Sequence, residues 1–427
     1  MARIVMTTLG SSGDLHPFLA LALGLRARGH AIHFATEAMH EARITALGFP
    51  MTALTGDSEL MLAPYCHDLF ERSNPLPSVR VLYHEWIIPT LRPRIEELRA
   101  LVADADFLIS SAQQIASHIV AELTGIPWAS VALTPLVVLA PGIEALALPP
   151  MPEALKRALA NAAPTVAAPV FRRLLDDPIN AIRAEYGLPP RDGMLTSGPL
   201  SHHLTAIACS PAFVPPSPVW PPWAKTTGFL FWDTPEDWTE PETLSAFFNG
   251  PLPVVAVSSG SMSERVPHFF DRFYRTSLNA IWSAGARALV IGAPPNALPD
   301  PLPEWVYAMP YAPFSHIYPR CGAVIHHGGI GTTAQGLRAG VPQMIVPWGG
   351  DQFFDGAQIT RLGAGHWMTR RAYKPTKATK ALRSLLTMPR YQQAASAIAT
   401  QIAEEDGVTT LCDAIEAAML QHAPVIA

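Results

Sequence analysis

In this chain of 427 residues, the side chains that could do chemistry gather at three places. The densest is Ala323 to Gly363, AVIHHGGIGTTAQGLRAGVPQMIVPWGGDQFFDGAQITRLG. A short apolar run, Ala323 to Ile325, meets the pair His326-His327, and a loop carrying Gly328, Gly329 and Gly331 follows. Thr332 and Thr333 read as helix-start residues, with a helical pattern that stops at Gly340. A second apolar run, Met344 to Pro347, leads into a loop with Asp351 and Gln352 and then another helix. A Gly-rich turn at a helix start bares backbone N–H groups, and such a turn holds anions. The order strand, turn, helix, strand, loop, helix opens both loops on one edge of a parallel sheet, where such sheets bind ligands. The stretch therefore reads as a diphosphate cradle with a polar pair beside it. The second place is Gly10-Ser11-Ser12-Gly13-Asp14, a tight turn after the strand Arg3 to Leu9, with His16 two residues on. The third is Ser259-Gly260-Ser261, a small-residue turn after the strand Val254 to Ser258.

The elements that position these residues follow a βα rhythm in both halves. After the first turn, Pro17 sits near the start of a helix that Gly29 ends, and Ala31 to Ala35 is the next strand. The turn is not G-x-G-x-x-G, and Glu37 is the nearest acid to the end of the second strand, so no nicotinamide-type site is expected. Further strands are expected at Phe107 to Ser111 and, after a helix ending at Gly125, at Trp128 to Leu133. Residues 56–95 and 134–180 read as long irregular regions, the latter with a helical patch at Pro152 to Ala163. Apolar loops of that length are expected to wall a binding site. The proline- and tryptophan-rich segment Phe213 to Trp223 and the acidic run Asp233 to Glu242 place a linker near residues 230–245. Beyond it come a helix (Phe269 to Ala284), a strand (Arg287 to Ile291), the stretch Val306 to Pro313 and a terminal amphipathic helix, Val408 to His422.

Composition narrows the class. Apolar residues make up 49 % and charged ones 15 %, enough for two cores and no bulk disorder. A net charge of −5 argues against a nucleic-acid binder, which needs a basic face. Cys66, Cys209, Cys321 and Cys412 have no paired spacing and read as buried free thiols of a reducing compartment. The strand at the N-terminus leaves no room for a signal peptide, and Pro135, Pro141 and Glu144 break the most hydrophobic later stretch, so a cytoplasmic protein is expected. The His pair lacks a third ligand at metal-binding spacing, and Asp104-Ala105-Asp106 matches D-x-D only formally, as a loop end before an apolar strand.

Taken together, GSSGDLHP, TTGF at the linker, YAP at 311–313, HHGGIGTT and PWGGDQFFDGAQ resemble the family 1 glycosyltransferases. The likeness is greatest to the bacterial rhamnolipid rhamnosyltransferases, with sterol and antibiotic glycosyltransferases next. It runs through the chain in order, is strong from Tyr311 to Gly363, and is weak over 56–95 and 134–200. The resemblance implies an α/β GT-B fold: two Rossmann-like domains with parallel sheets facing across a cleft, and a C-terminal helix crossing back. The expected division is 1–230 for an acceptor-binding domain, 231–250 for a linker, 251–405 for a nucleotide-sugar-binding domain and 406–427 for the returning helix.

The resemblance also implies roles. His326 would contact the donor diphosphate, with Gly328, Gly331, Thr332 and Ser261 presenting donors beside it, while His327 would be packing or lining. Asp351 and Gln352 would bind hydroxyls of the donor sugar, which a carboxylate beside an amide suits, and the alternative for Asp351 is a helix N-cap. Tyr311 would stack on the nucleobase. Asp14 is the expected base that takes the acceptor's hydroxyl proton, with His16 as competitor; capping the following helix is the alternative for Asp14. Several relatives carry a ribose-binding Glu eight residues after the diphosphate histidine, and Ala334 stands there, counting from His326. The expectation is an inverting, metal-independent transfer, without cofactor, from UDP-glucose or dTDP-rhamnose to a hydroxyl of a lipophilic acceptor. The rivals are a GT-B-fold epimerase and a non-catalytic nucleotide-sugar-binding partner protein. Acceptor, oligomeric state and transient contact with a membrane surface stay open.

Overall fold

The structure, a computed structural model, describes residues 1–65, 69, 75–138, 168–196, 198–218, 220–233, 238–260 and 267–421. It divides into two compact units, Met1–Trp232 with Asp406–Ala427, and Asp233–Glu405.

Unit one is built on a parallel sheet of β1 (Arg3–Thr7), β2 (Ala31–Thr36), β3 (Met51–Ala53), β4 (Phe107–Ser111), β5 (Trp128–Ala132), β6 (Leu204–Ile207) and β7 (Ala224–Thr226). Their order is β3-β2-β1-β4-β5-β6-β7. β4 and β5 are buried along their whole length, as strands covered on both faces must be. The chain winds outward one way through β2 and β3 and the other way through β4 to β7. The switch between β1 and β4 is where such sheets leave a crevice beyond their carboxyl ends. There Gln114, after β4, donates to Thr7 Oγ1 at 3.2 Å and ties the two strand ends together.

The helix after β1, α1 (Ser12–Ala27), starts before Pro17 rather than near it. Ser11 is its N-cap, and Pro17 lies inside. The reason is a capping box: Ser11 Oγ accepts from Gly13 N at 3.3 Å, and Asp14 Oδ2 accepts from Ser11 N at 2.8 Å. The stretch expected to be irregular at 56–95 is largely helical instead. Pro75–Val81, a π-helical turn Leu82–Ile87 and α2 (Ile88–Val102) run on without a break. Trp86, Leu91, Ile95 and Leu98 sink into the core, so this segment covers the sheet. The second such region, 134–180, turns helical from residue 168 onward. The expected helical patch at Pro152 to Ala163 lies outside the described residues, as does Cys66. Helix α3 (Ile115–Thr124) ends at Gly125, whose φ of 71° is the left-handed cap conformation.

Unit two repeats the plan with β8 (Val254–Ser258), β9 (Arg287–Ile291), β10 (Val306–Met309), β11 (Ala323–His326), β12 (Gln343–Ile345) and β13 (Gly365–Trp367). These are parallel in the order β10-β9-β8-β11-β12-β13, with the switch between β8 and β11. The helices used below are α4 (Pro267–Ser283), α5 (Ile330–Arg338), α6 (Gln352–Arg361), α7 (Pro375–Thr387) and α8 (Pro389–Ala403). Thr332 and Thr333 lie inside α5 rather than at its start, because Gly329 is the N-cap. No helix among the described residues is long and apolar enough to cross a membrane.

The last helix, α9 (Gly407–Gln421), belongs to unit one. Leu411, Cys412, Ile415 and Ala418 join the core that α1 fills with Phe18, Leu21 and Leu25. Arg28 reaches Asp413 and Glu416 at 2.5 and 2.7 Å, and His30 meets Glu416 at 3.0 Å. Gly24 allows the close approach: a Cβ there would lie 2.7 Å from Val408 Cγ1 and 3.0 Å from Cys412 Sγ. Gly24→Val is expected to lower the unfolding free energy by roughly 1–3 kcal/mol through overpacking. Urea unfolding measures this, and limited proteolysis should cut near residue 406 more readily in the variant.

Candidate functional site

The turn after β1 is held from below. Gly10 has φ 109°, and a Cβ there would lie 2.5 Å from Asp14 Oδ2. Its N–H donates to Glu37 Oε1 at 2.8 Å, while Glu37 Oε2 accepts from Ser58 N at 2.6 Å. Glu37 is fully buried, so its carboxylate braces the turn. His40 Nε2 donates to Gly10 O at 2.9 Å from the other side. Asp14 projects from the first turn of α1 and is half-buried. Its Oδ2 takes part in the cap, also accepting from Ser11 Oγ at 3.1 Å. The capping role is therefore real, and it fixes the orientation of the carboxylate.

His16 is a different matter. Its Nε2 lies 2.7 Å from Arg43 Nη1, and a guanidinium can only donate, so the imidazole lone pair is engaged. The ring also packs against Trp232 at 4.6 Å. Burial, then Arg43 and His40, push its pKa down to about 3. With that lone pair engaged, His16 is poorly placed to accept a proton.

Asp104 and Asp106 turn to Arg3. The Asp106 carboxylate accepts from Arg3 N at 2.7 Å, and Asp104 pairs with the guanidinium at 3.4 Å.

In unit two the loops after β8, β11 and β12 open at one sheet edge. His326, the last residue of β11, is sealed from solvent. Its Nε2 donates to Gln343 Oε1 at 2.8 Å, and its Nδ1 accepts from Gly328 N at 3.0 Å. Gln343 in turn donates to Thr333 O at 3.2 Å. Both ring nitrogens thus have protein partners, and burial together with neighbouring His327 depresses the pKa to about 3. The nitrogens of His326 and the N–H of Gly328 are thus engaged with protein partners. His326 holds the loop from beneath, and Gly328 gives its N–H to that histidine. Gly328 is required for another reason: at φ 93°, a Cβ there would sit 2.6 Å from Ile345 Cγ2.

His327 is placed differently from its neighbour. Its ring lies between the two glycine turns: a Cβ on Gly260 would come within 2.5 Å of Cε1, and one on Gly329 within 2.4 Å of Nε2. The residue is half-buried, and its Nδ1 is buried without a hydrogen-bond partner. Burial lowers the pKa to about 4, so the imidazole is neutral and can donate one hydrogen bond. Thr333 N donates to Gly329 O at 2.9 Å and closes the first turn of α5. The N–H groups of Ile330, Gly331 and Thr332 precede that bond and point off the helix end, the arrangement that attracts anions. Ser261 lies outside the described residues.

Asp351 precedes α6 without capping it through its side chain. Burial raises its pKa to about 6, against the pull of the N–H groups of Asp351 and Gln352. Gln352 Oε1 accepts from Trp348 N at 2.7 Å and Gly349 N at 3.2 Å, which leaves its NH₂ group to face a ligand. One turn on lies Asp355, which no sequence motif singled out. It is fully buried, neither oxygen has a hydrogen-bond partner among the described residues, and burial with Asp351 nearby raises its pKa well above the usual value. Its sequence signal was the i, i+4 spacing from Asp351. Tyr311 stands half-exposed in the loop after β10. Counted from His327, the eighth residue on is Gln335, whose Oε1 accepts from Arg338 at 2.9 Å, while Ala334 is buried.

Residues 4–129 match the glycosyltransferase family 28 N-terminal domain, and residues 288–417 match the erythromycin biosynthesis protein CIII-like C-terminal domain. Both are domains of glycosyltransferase-type proteins, and the chain has the GT-B fold. The O-mycaminosyltylonolide 6-deoxyallosyltransferase of Streptomyces fradiae is 29 % identical, with 97 % of each chain covered. A sterol 3-beta-glucosyltransferase of Aspergillus clavatus is 30 % identical over 100 % of this chain, which spans 30 % of that relative's length. Among solved structures, the glycosyltransferase VinC in complex with dTDP superimposes with a TM-score of 0.70 at 22 % identity, covering 97 % of this chain and 99 % of that one. The spinosyn rhamnosyltransferase SpnG gives 0.70 at 16 % identity, covering 97 % and 100 %. These likenesses are to the sterol and antibiotic groups; the rhamnolipid likeness rests on the sequence motifs alone.

The two histidines should separate in experiment. His326→Leu leaves the Gln343 oxygen and the Gly328 N–H buried and unpaired at about 1–3 kcal/mol each, so stability should fall by roughly 2–6 kcal/mol. His327→Ala should change stability by about 1 kcal/mol or less, as half-buried sites do. Chemical denaturation of both variants checks the contrast.

Proposed function

We propose that the protein is an inverting, metal-independent transferase that moves a sugar from a nucleoside diphosphate donor to a hydroxyl of a lipophilic acceptor. The observation that carries this reading is the unit-two sheet edge, where neutral His327 lies between Gly260 and Gly329 beside the bare N-terminus of α5 and the pair Asp351-Gln352. In this reading unit one supplies the base and unit two the donor site. Asp14 takes the proton of the acceptor hydroxyl as its oxygen bonds to the anomeric carbon. The bond from that carbon to the diphosphate breaks, and the diphosphate leaves with the electron pair. His327 and the N–H groups of Gly331 and Thr332 stabilise the charge that grows on it, where donors have most effect. Asp351 and the Gln352 amide hold sugar hydroxyls, and Tyr311 covers the base. The single displacement inverts the anomeric centre.

A thymidine diphosphate sugar is the favoured donor. Position 334 carries alanine in place of the carboxylate that would grip a ribose diol, and VinC and SsfS6 are solved with dTDP and thymidine diphosphate. A lipophilic acceptor fits relatives whose names carry a sterol and a tylonolide.

The test is release of nucleoside diphosphate from a panel of dTDP- and UDP-sugars with and without a hydrophobic alcohol. Release should depend on the alcohol, and Asp14→Asn should lower kcat by about 10²–10⁴-fold with donor KM unchanged. Acceptor-independent turnover would support the epimerase instead, and full activity of Asp14→Asn would remove Asp14 from the mechanism. His327→Ala should lower kcat by about 10²–10³-fold, as loss of an oxyanion donor does.

A second expectation concerns pH. Asp351 accepts from sugar hydroxyls best as the carboxylate, so donor affinity should rise with pH through about 6. Its raised pKa means the fold prefers the protonated form. Stability from this group is therefore highest below the ordinary carboxylate pKa and declines as pH rises towards about 6, opposite to the binding trend. Asp351→Asn should flatten the pH dependence of donor KM.

A further inference from the structure

The chain is acidic overall, at −5, yet from residue 356 to residue 403 it has no Asp or Glu at all. Over the same stretch it has Arg361, Arg370, Arg371, Lys374, Lys377, Lys380, Arg383 and Arg390. Three of these are lysines at a spacing of three, and Lys374, Lys377 and Lys380 are all exposed. On α7 the series Lys377, Lys380, Arg383 keeps to one side of the helix. Among the described residues no carboxylate pairs with Lys377, Lys380 or Arg383; Arg383 donates to Ser283 O at 2.7 Å.

Helix stability does not account for the pattern. Lys374 is the N-cap of α7 and Lys377 lies in its first turn, which has no acidic residue. Arg390 is likewise in the first turn of α8, again without an acid. The positive end of a helix dipole repels cations, so these positions work against the helices that bear them.

An open groove of about 660 Å³ lies along α4 and α7, lined by Asn279, Ser283, Thr376, Lys380, Arg383 and Met388. Hydroxyls and cations line it together, which suits a phosphate on an organic stem. Two large apolar side chains are exposed at the same place. Trp282, next to Ser283, is 53 % exposed and stacks on Trp305 at 5.0 Å, and Met388 is 45 % exposed. A nucleic-acid duplex, its bases stacked inside, would use the cations alone. Cations beside an exposed indole and a thioether match a lipid interface, where charges meet headgroups and apolar side chains enter the boundary.

We propose that this face of unit two docks on an anionic membrane surface, with Lys377, Lys380 and Arg383 on headgroup phosphates and Trp282 at the acyl boundary. The proposal is independent of the donor chemistry assigned above.

The full chain should be sedimented with vesicles of phosphatidylcholine, with and without phosphatidylglycerol. Binding should require phosphatidylglycerol and should fall steeply between about 0.1 M and 1 M salt as screening shortens. Each basic side chain near such a surface contributes about fivefold, so Lys377→Gln with Lys380→Gln should weaken binding about 25-fold. Both side chains are exposed, so the fold should be unaffected, which circular dichroism confirms. Lys225→Gln, in unit one, should bind as the parent does. Trp282→Ala should weaken vesicle binding without changing its salt dependence. Equal sedimentation with neutral vesicles, none with anionic ones, or tighter binding of a DNA duplex than of vesicles at the same salt would each overturn the proposal.

Discussion

The unit-two site depends on one buried chain of hydrogen bonds, from Thr333 O through the Gln343 amide and the His326 imidazole to Gly328 N–H. Each link determines the next. The Gln343 oxygen can only accept, so His326 carries its proton on Nε2, and its Nδ1 must accept. That lone pair then captures the first free N–H beyond the strand and bends the chain into the Gly328 turn. The bend sets where Gly329 starts α5 and where the His327 ring lies. Removing the chain would leave several buried polar groups unpaired at once, each at about 1–3 kcal/mol. An active-site loop made of glycines has little rigidity of its own; here it is supplied from beneath.

Unit one solves the same problem with charge. The Gly10 turn also needs a positive φ, and it too is held from below by a buried polar side chain, Glu37, with His40 on the carbonyl. Glu37 has a buried cation in its field, since its charge pulls the Arg94 pKa back up against burial. Arg94 itself donates to Thr55 O at 2.7 Å and also to Gly56 O. The turn that presents Asp14 therefore rests on the second strand and the helix after the third. Substitutions at Glu37 or Arg94 would act on Asp14 through geometry, without touching substrate.

The sequence showed the long buried strands and the glycine turns, because continuous apolar runs and Gly clusters are local signals. It did not show β3, β6, β7 or β13, which have three or four residues and no room for a period. The helical run from Pro75 to Val102 was hidden by its prolines, which read as loop residues. Which of the two histidines is tied into the sheet was hidden for a subtler reason. Neighbouring strand residues point to opposite faces, but a parallel sheet covered on both faces buries both, so alternation cannot say which one meets the loop mouth. Gln343, seventeen residues away and unremarkable in sequence, decides it by claiming His326. Glu37 was weighed only as a ribose ligand, because a buried brace has no local signature.

The two acids of α6 show how one helix turn can divide labour. Asp351 and Asp355 are one turn apart, and in a dry environment two like charges at that spacing cannot both be carried cheaply. Asp355 is the more deeply buried and, among the described residues, neither of its oxygens has a hydrogen-bond partner, so burial disfavours its charge the more. An ionised Asp355 would push the Asp351 pKa further up. Instead the N–H groups of Asp351 and Gln352 favour the Asp351 anion and hold its pKa near 6 against burial. An amide at position 355 would serve as well on charge alone. Aspartate differs in that it can titrate, and burial together with Asp351 opposes its charged form.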